Sequence, residues 1–345
     1  MDSRAKTSAV LRSYLSDKYQ RVLIYNSPSN NTTFSKWGKI KHIVPKGFIL
    51  GPLLFLLYIN DFPNIIADPL KPVQFADDTS IITTNPSPSK FKEDINNITD
   101  DINDWFRSNS LSLNFDKINF VQFRPKNRYE TNFKITCNNK LIKETKNTKF
   151  LGLDIDSSLS WKGHIEQMMF EQGTARYAIR YIKHFMSQDT LRTIYFSYFH
   201  SILSYSIIFW GNSAYSSNIF KIQRTIIRII TNARNRDSCH QLFKNLKILP
   251  LKSKYIFSLL LFVAKNRDLH ESNSEIHNFN TRFRPDLHTP TANLTNFQKR
   301  TFGIKVFNYL PTNTKTTSHD IKQFRSTLRS FLLINSLYSL EEYVM

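Results

Sequence analysis

Residues 73–82 read Val-Gln-Phe-Ala-Asp-Asp-Thr-Ser-Ile-Ile, and the prediction of the fold starts from this stretch. Two runs rich in β-branched and aromatic residues flank the pair Asp77 and Asp78, which predicts two strands joined by a tight turn. Asp is a common turn residue because its side chain bonds its own backbone, so an isolated acidic pair is usually structural. Two carboxylates at one turn also suit a pair of Mg²⁺ ions, which take oxygen ligands and leave coordination positions for phosphate.

The charge balance of the chain indicates a polyanionic partner. Its 345 residues contain 47 Lys and Arg against 27 Asp and Glu, a net charge of +20. Such an excess is typical of proteins that bind nucleic acid. The length is sufficient for a substantial core and predicts two or three structural units.

Cysteine usage and hydropathy predict a soluble intracellular protein, in the nucleus or the cytoplasm, without membrane contact. Cys137 and Cys239 are the only cysteines, too few for a disulfide framework or a zinc site. No apolar signal core follows the first residues. The apolar runs at 48–59 and 256–264 are too short to cross a bilayer.

The amino-terminal part of the chain predicts alternating short elements. A helix leads into a strand over residues 8–24, and a second strand is expected at 39–44. The glycine-bearing segment 44–52 precedes a run, 53–61, that is apolar on every side and therefore predicts a buried helix. Phosphate or nucleic-acid backbone could approach at the glycines of 44–52, although the spacing also fits a plain loop that enters a core helix.

The clearest amphipathic helix follows the acidic turn. Its apolar residues recur at intervals of four and three, and its acidic residues are strung along the other face, which predicts a solvated surface and not a metal site. The apolar set is Phe91, Ile95, Ile98, Ile102 and Trp105; the acidic set is Glu93, Asp94, Asp100, Asp101 and Asp104. Further strands are predicted at 120–123, 133–137 and 148–155, the last with a bulge or close backbone approach at Gly152.

From His164 onward the sequence predicts mostly helix. Apolar stripes occur over 165–182, 191–203 and 219–230, and they predict core-facing surfaces. The third helix carries Lys221, Arg224 and Arg228 on its opposite side, which indicates either a solvated face or contact with a nucleic-acid backbone. Residues 265–320 are polar and predict long loops with one helix at 297–310, and a final helix covers 321–332.

The order of four segments resembles that of a known polymerase family. Residues 44–52 are similar to a motif that contains Gly-Val-Pro-Gln-Gly-Ser, and residues 75–78 to a catalytic Phe/Tyr-Ala-Asp-Asp box. Residues 114–117 are similar to the next conserved segment, and residues 150–153 to a primer-grip hairpin. Four such segments in the correct order identify a resemblance, over residues 8–345, to the reverse transcriptases of non-LTR (LINE-type, jockey-like) retrotransposons.

This resemblance implies an α+β fold: part of a right-hand polymerase palm, an antiparallel sheet with packed helices, followed by an all-helical thumb-like region. The implied domains are a partial palm at 1–160, a helical thumb-like domain at 161–265 and a loop-rich, helical carboxy-terminal region at 266–345. The family's activity is RNA-directed DNA synthesis by two-metal nucleotidyl transfer. The implied cofactor is Mg²⁺, as two ions, and the implied partners are an RNA template, a DNA primer and a deoxynucleoside triphosphate.

The resemblance also assigns roles to individual residues. Asp77 is expected to be a direct metal ligand and Asp78 its less direct partner, while Lys117 is placed to protonate or steady the pyrophosphate. Gln74 and Phe75 are expected to pack the hairpin. The remaining assignments are template or nucleotide binding by Pro45, Lys46, Gly47 and Phe75, and primer grip by Phe150, Leu151 and Gly152.

Three departures from the family pattern lead to alternative hypotheses. The upstream catalytic Asp and the fingers segment are not found, so an amino-terminally truncated copy, served by a complementing polymerase segment, is expected. Lys46 and Phe48 stand where the family has Gln and Ser. The chain is therefore an active polymerase, a catalytically silent palm–thumb fragment that binds nucleic acid, or a folding remnant of a mobile element, and we expect activity to be impaired.

Overall fold

The computed structural model describes residues 3–26, 31–40, 50–66, 68, 70–85, 87–123, 134–137, 140–276, 286–290 and 295–344. Over these ranges the chain mixes helices with small antiparallel sheets, as the α+β prediction requires. The chain divides into two compact units. Unit 1 comprises Met1–Ile118 and Thr131–Lys143; unit 2 comprises Asn119–Glu130 and Glu144–Met345.

The strands are short, and every sheet in the described ranges has two strands. The strands are β1 Lys18–Gln20, β2 Leu23–Asn26, β3 Asn31–Phe34, β4 Gly38–Ile40, β5 Lys71–Phe75, β6 Asp78–Ile82, β7 Asn119–Phe120, β8 Thr136–Cys137, β9 Lys140–Leu141, β10 Lys143–Glu144, β11 Asn147–Phe150 and β12 Leu153–Asp156.

The helices lie mainly in unit 2. They are α1 Ser3–Leu15, α2 Leu50–Tyr58, α3 Pro88–Ser108, α4 Lys162–Ile182, α5 Gln188–Ile194, α6 Ser201–Ser204, α7 Ile207–Trp210, α8 Ser216–Thr231, α9 His240–Asn245, α10 Leu251–Lys265, α11 Asn273–Ile276, α12 Thr295–Asn308, α13 Thr312–Thr316, α14 Ile321–Asn335 and α15 Glu341–Val344. A π-helical segment, Tyr195–His200, joins α5 to α6. Among the helices that the structure describes, none has both the length and the apolar character needed to span a membrane.

Unit 1 is built around the amphipathic helix α3, as its periodicity predicts. Pro88 stands in the first turn, where a missing backbone N–H costs nothing. Ile98 and Trp105 are buried in a cluster with Phe62, whose ring meets the Trp105 ring edge-on at 5.0 Å between centroids. The predicted acidic face of α3 is largely solvated, with Asp104 exposed.

The predicted burial of the helix after Gly51 is wrong. Helix α2 has no buried residue, and Leu53, Leu56 and Leu57 are 51–66% exposed. Within the described residues, Phe55 packs against the unit 1 cluster, and Ile59, just beyond the helix, is buried in it. An apolar pattern on all sides predicts burial only if neighbouring elements cover every side, and the described part of unit 1 covers one.

Two predicted strands are divided in the structure. The extended run expected at 20–24 is split between β1 and β2, which pair with β4 and β3 respectively. The single strand expected at 148–155 is instead a hairpin of β11 and β12. The strand predicted at 133–137 is described only from residue 134, and the one at 39–44 only up to residue 40, where β4 ends.

Unit 2 contains the larger core, and the predicted apolar stripes line it. Ile165, Met168 and Ile179 of α4 are at most 3% exposed, and so are Ile219 and Ile226 of α8. The predicted helices at 297–310 and 321–332 correspond to α12 and α14. Helical periodicity therefore placed these core faces correctly.

The chain enters this helical core through a hydrogen-bonded turn at Asp156. The Asp156 carboxylate accepts the backbone N–H groups of Ser158, Ser160 and Trp161 at 2.7–3.0 Å. Partial burial raises the pKa of Asp156, but hydrogen bonds from the Ser158 hydroxyl, then from the Ser160 and Trp161 N–H groups and the Ser160 hydroxyl, outweigh it and hold the pKa below its usual value. The carboxylate thus orders the turn that leads from β12 into α4.

Candidate active site

The acidic pair lies at the tip of a β-hairpin, as the sequence predicts. Strands β5 and β6 pair antiparallel with Phe75 opposite Asp78, which leaves Ala76 and Asp77 as a two-residue turn. Ala76 has a φ of 52°, in the left-handed region that tight hairpin turns use at their first turn position. The backbone thus presents Asp77 from the turn and Asp78 from the first position of the following strand.

The hairpin is anchored in unit 1 by its second strand. Ile81 packs against the cluster around Phe62 and Trp105. Gln74 is half-buried, in accord with its predicted packing role, whereas Phe75 is 61% exposed and does not pack the hairpin. A strand packed partly against the core and a solvated tip together offer side chains at the tip to a ligand.

Both carboxylates of the tip are exposed, and no hydrogen bond or ion pair ties either of them to another described residue. Their donor chemistry fits Mg²⁺, which proteins hold through one or two carboxylates together with water and substrate phosphate. The described ranges contain no group of three or more His, Cys, Asp or Glu side chains placed to hold a metal. Asp77 and Asp78 are thus two neighbouring oxygen donors, and their role as metal ligands stays a prediction.

Lys117 follows helix α3 in unit 1, in a turn over 114–117. Its backbone N–H donates to the Asn114 carbonyl at 3.0 Å, and the Asn114 side chain accepts from the Asp116 N–H at 3.2 Å. The Lys117 side chain is exposed. Its predicted role towards pyrophosphate stays a prediction, as do the roles of Pro45, Lys46 and Gly47, which lie outside the described residues.

The predicted primer-grip residues form the tight turn of the second hairpin, in unit 2. Leu151 and Gly152 have φ values of 47° and 78°, the left-handed pair that a two-residue hairpin turn requires. The Tyr205 hydroxyl donates to the Leu151 carbonyl. A Cβ on Gly152 would lie 3.5 Å from the Tyr205 ring, so the turn and the ring are in close approach.

A cavity of about 410 Å³ lies beside this turn, within unit 2. His164, Glu171, Ser201 and Tyr205 line it, together with Gly152. His164 is 8% exposed, its Nε2 has no hydrogen-bond partner among the residues that the structure describes, and burial lowers its pKa. Sequence reasoning missed Tyr205 and His164 because the contact between Tyr205 and Leu151 spans 54 positions and no local pattern signals it.

The three predicted cations of α8 differ in what they contact. The Arg228 guanidinium donates to the Asp237 carbonyl at 2.9 and 3.1 Å, and Arg224 lies 5.0 Å from the centroid of the Phe220 ring. Lys221 is exposed. Two of the three are therefore engaged within unit 2, and backbone contact with nucleic acid stays a prediction for the set.

Comparison with known proteins points to one family. Residues 3–155 match the family model described as reverse transcriptase (RNA-dependent DNA polymerase). The chain is 25% identical to the probable RNA-directed DNA polymerase from transposon BS of Drosophila melanogaster over 234 residues. This match covers 65% of this chain and 25% of the relative.

The chain is also 25% identical to the RNA-directed DNA polymerase from mobile element jockey of Drosophila melanogaster over 222 residues. This match covers 61% of this chain and 24% of the relative. The probable RNA-directed DNA polymerase from transposon X-element of Drosophila melanogaster is 24% identical to this chain over 235 residues. This match covers 64% of this chain and 24% of the relative. The chain thus spans about a quarter of the length of the curated relatives it matches. No solved structure matches it.

Proposed function

We propose that this chain is a palm and thumb segment of an RNA-directed DNA polymerase of the non-LTR retrotransposon kind, a proposal that the family match over residues 3–155 and the similarity to transposon polymerases support. The observation that carries the proposal is the hairpin of β5 and β6, which presents Asp77 and Asp78 to solvent at its tip. In this assignment the hairpin and α3 belong to the palm, with the thumb starting at α4. The domains are then 1–160, 161–265 and 266–345.

Asp77 and Asp78 would hold the metal ions. When bound, two Mg²⁺ ions supply charge neutralisation for the primer 3′-hydroxyl and the leaving pyrophosphate. The chain's part is to present two carboxylates at a fixed turn where no other described residue bonds them, so that neither has to give up such a hydrogen bond on binding. Ile81 holds the base of the hairpin in the unit 1 core, which limits the movement of the tip.

The other assigned residues would bind and orient nucleic acid. Lys117 offers a positive charge for the pyrophosphate, and the exposed Phe75 ring offers a surface to template or nucleotide. The Leu151–Gly152 turn would carry the primer end. Its two left-handed residues are held by the Tyr205 ring and hydroxyl, so the primer would meet a turn of fixed shape.

Primer extension on an RNA template tests the proposal with the full chain. We expect Asp77→Asn, which keeps the shape but removes the charge, to lower extension at least about 100-fold, since metal stabilisation is worth several kcal/mol and each 1.36 kcal/mol is tenfold. Asp104→Asn, at an exposed acid on α3, is the matched control and should extend like wild type. Extension by wild type that is no better than by Asp77→Asn would contradict the proposal.

Metal binding can be measured independently of turnover. Fe²⁺ takes the place of Mg²⁺ at carboxylate sites and, with peroxide, generates radicals that cleave the backbone nearby. We expect cleavage around residues 75–80 in wild type and in Asp104→Asn, and its loss in Asp77→Asn. Cleavage that persists in the Asp77→Asn protein would remove the metal role assigned to this carboxylate.

A further inference from the structure

Helix α4 carries large aromatic side chains on its solvent side. Phe170, Tyr177, Tyr181 and Phe185, the last just beyond the helix end, are 81%, 70%, 68% and 78% exposed. We call these four residues the aromatic stripe. None of their rings contacts another aromatic ring or a cation among the described residues. Aromatic side chains of this size normally contribute 150–250 Å² of buried area to a core or an interface, so four of them in solvent indicate a binding surface.

The stripe is separate from the core face of the same helix. At 3.6 residues per turn, positions 170, 177 and 181 fall on one side, and Ile165, Ala175 and Ile179 fall on the opposite side, where they are at most 1% exposed. Positions 170 and 181 lie about 16 Å apart along the axis. Between them lie the small residues Gly173 and Thr174, and a Cβ on Gly173 would meet nothing within 4 Å, so space is left beside the rings.

Positive charge flanks the stripe on the carboxy-terminal half of α4. Arg176 and Arg180 are exposed on one flank of the stripe, while the Lys183 ammonium donates to the Asn232 side-chain oxygen at 3.1 Å. Residues 172–188 contain no acidic residue. Arg180 also lies in the last turn, where a cation stabilises the helix dipole, but that role does not account for the rings.

The acids of α4 lie in its first half and are engaged. Glu166 is 3.9 Å from the Lys162 ammonium, and Glu171 accepts from the Gln167 amide at 3.3 Å. The half that carries Tyr177 and Tyr181 therefore presents rings and cations together. This pairing matches a partner that offers flat aromatic groups joined by negative charges.

We propose that the aromatic stripe binds single-stranded nucleic acid, with bases stacked on Phe170, Tyr177 and Tyr181 and phosphates near Arg176 and Arg180. Stacking of this kind tolerates any base, because every base has a π-face. A helix-packing partner would favour an aliphatic seam, which the small residues between the rings do not form. Since the surface lies in unit 2 and needs no metal, the proposal is independent of chemistry at Asp77 and Asp78.

Fluorescence anisotropy with labelled 12-nucleotide oligo(U) and oligo(dT), in EDTA, tests it against a hairpin duplex of similar length. We expect wild type to prefer the single strands. Base stacking lost on truncation to alanine weakens binding about five- to 150-fold per base, so Tyr181→Ala should fall in that range while Tyr181→Phe stays within about twofold. The double variant Arg176→Gln/Arg180→Gln should reduce the salt slope by about 1.4, or 0.7 for each phosphate contact.

The decisive variant replaces rings by aliphatic side chains, Tyr177→Leu/Tyr181→Leu. It keeps apolar area, so a docking surface for a protein would survive, whereas stacking would be lost. Tyr309→Leu, at a 57% exposed tyrosine elsewhere in unit 2, is the matched control. Unchanged single-strand affinity in the double variant, an equal loss in Tyr309→Leu, or duplex bound as tightly as single strand would overturn the proposal.

Discussion

A buried glutamine, Gln223, joins three elements of unit 2 through hydrogen bonds. The Gln223 side chain, fully buried on α8, donates from Nε2 to the Tyr195 hydroxyl at 2.9 Å and to the Leu249 carbonyl at 3.0 Å. Its Oε1 accepts the Leu251 N–H at 2.9 Å. That N–H belongs to the first turn of α10 and has no partner within the helix. One amide thus joins the π segment, α8 and the start of α10.

Replacing this amide by an apolar group of similar size should be strongly destabilising. Gln223→Leu removes three hydrogen bonds and leaves a hydroxyl, a carbonyl and an N–H in the core without partners. Each buried, unsatisfied group costs about 1–3 kcal/mol, and the Tyr195 hydroxyl can rotate to recover part of the loss. We expect the free energy of unfolding to fall by about 4 kcal/mol, a large share of the roughly 5–15 kcal/mol typical of a domain.

Gln223→Glu adds a pH test of the same geometry. The glutamate keeps an oxygen for the Leu251 N–H but, when ionised, cannot donate to the Leu249 carbonyl. Burial raises the pKa of such a carboxyl, so the folded variant binds a proton more tightly than the unfolded chain does. Its stability relative to wild type should therefore rise as the pH falls, because the protonated carboxyl can donate again.

Urea unfolding followed by far-ultraviolet circular dichroism gives the free energies, and hydrogen exchange of the Leu251 amide reports on the network itself. Gln241→Leu is the matched control, since Gln241 is an exposed glutamine on α9, and its effect should stay within about 0.5 kcal/mol. If Gln223→Leu also unfolds within 0.5 kcal/mol of wild type, or if exchange of the Leu251 amide is unchanged, the reasoning from buried hydrogen bonds is wrong for this site.

Two further predictions concern unit 2. Gly211→Ala should lower the free energy of urea unfolding by about 3 kcal/mol, because its Cβ would lie 2.6 Å from a backbone oxygen and from a tyrosine ring carbon. In the control, Gly173→Ala, the Cβ meets nothing within 4 Å, so this variant should be as stable as wild type or more stable. Equal stabilities of the two variants would refute this prediction. Burial, and then the charge of Lys254, lowers the pKa of His200 to about 4. Because the unfolded chain binds this proton at a higher pH than the folded protein does, the free energy of unfolding should fall by about 2 kcal/mol from pH 6.5 towards pH 4. The fall should be less steep in His200→Gln, and parallel pH profiles of the two proteins would refute the prediction.

The elements that local chemistry specifies could be predicted from the sequence. The turn at Asp77 and Asp78 follows from alternating strand formers around a pair of turn residues, and α3 follows from its apolar period. The hairpin at 150–153 was missed as secondary structure and appeared only through the family resemblance. Leu151 is a poor turn residue, and its left-handed backbone receives support from Tyr205, which is far along the chain.

The burial of an all-apolar helix cannot be predicted from its own residues, because it depends on how many neighbouring elements pack against it. The residues of α2 specify a helix, but no pattern within them specifies how many sides the surrounding elements cover. The cations of α8 show the same limit. Arg228 shares a helix face with Lys221, yet its guanidinium is held by the Asp237 carbonyl, a contact that charge spacing cannot predict.

In helix α4, by contrast, the sequence was sufficient to predict which residues lie on the exposed side, once the apolar core face had been assigned. Once Ile165 and Ile179 are assigned to the core, helical geometry places Tyr177 and Tyr181 on the far side. Large aromatic residues that fall off a well-filled aliphatic stripe are therefore themselves a signal of a binding surface. Had these two tyrosines been core residues, the aliphatic positions would have been exposed instead, and they are buried completely or nearly so.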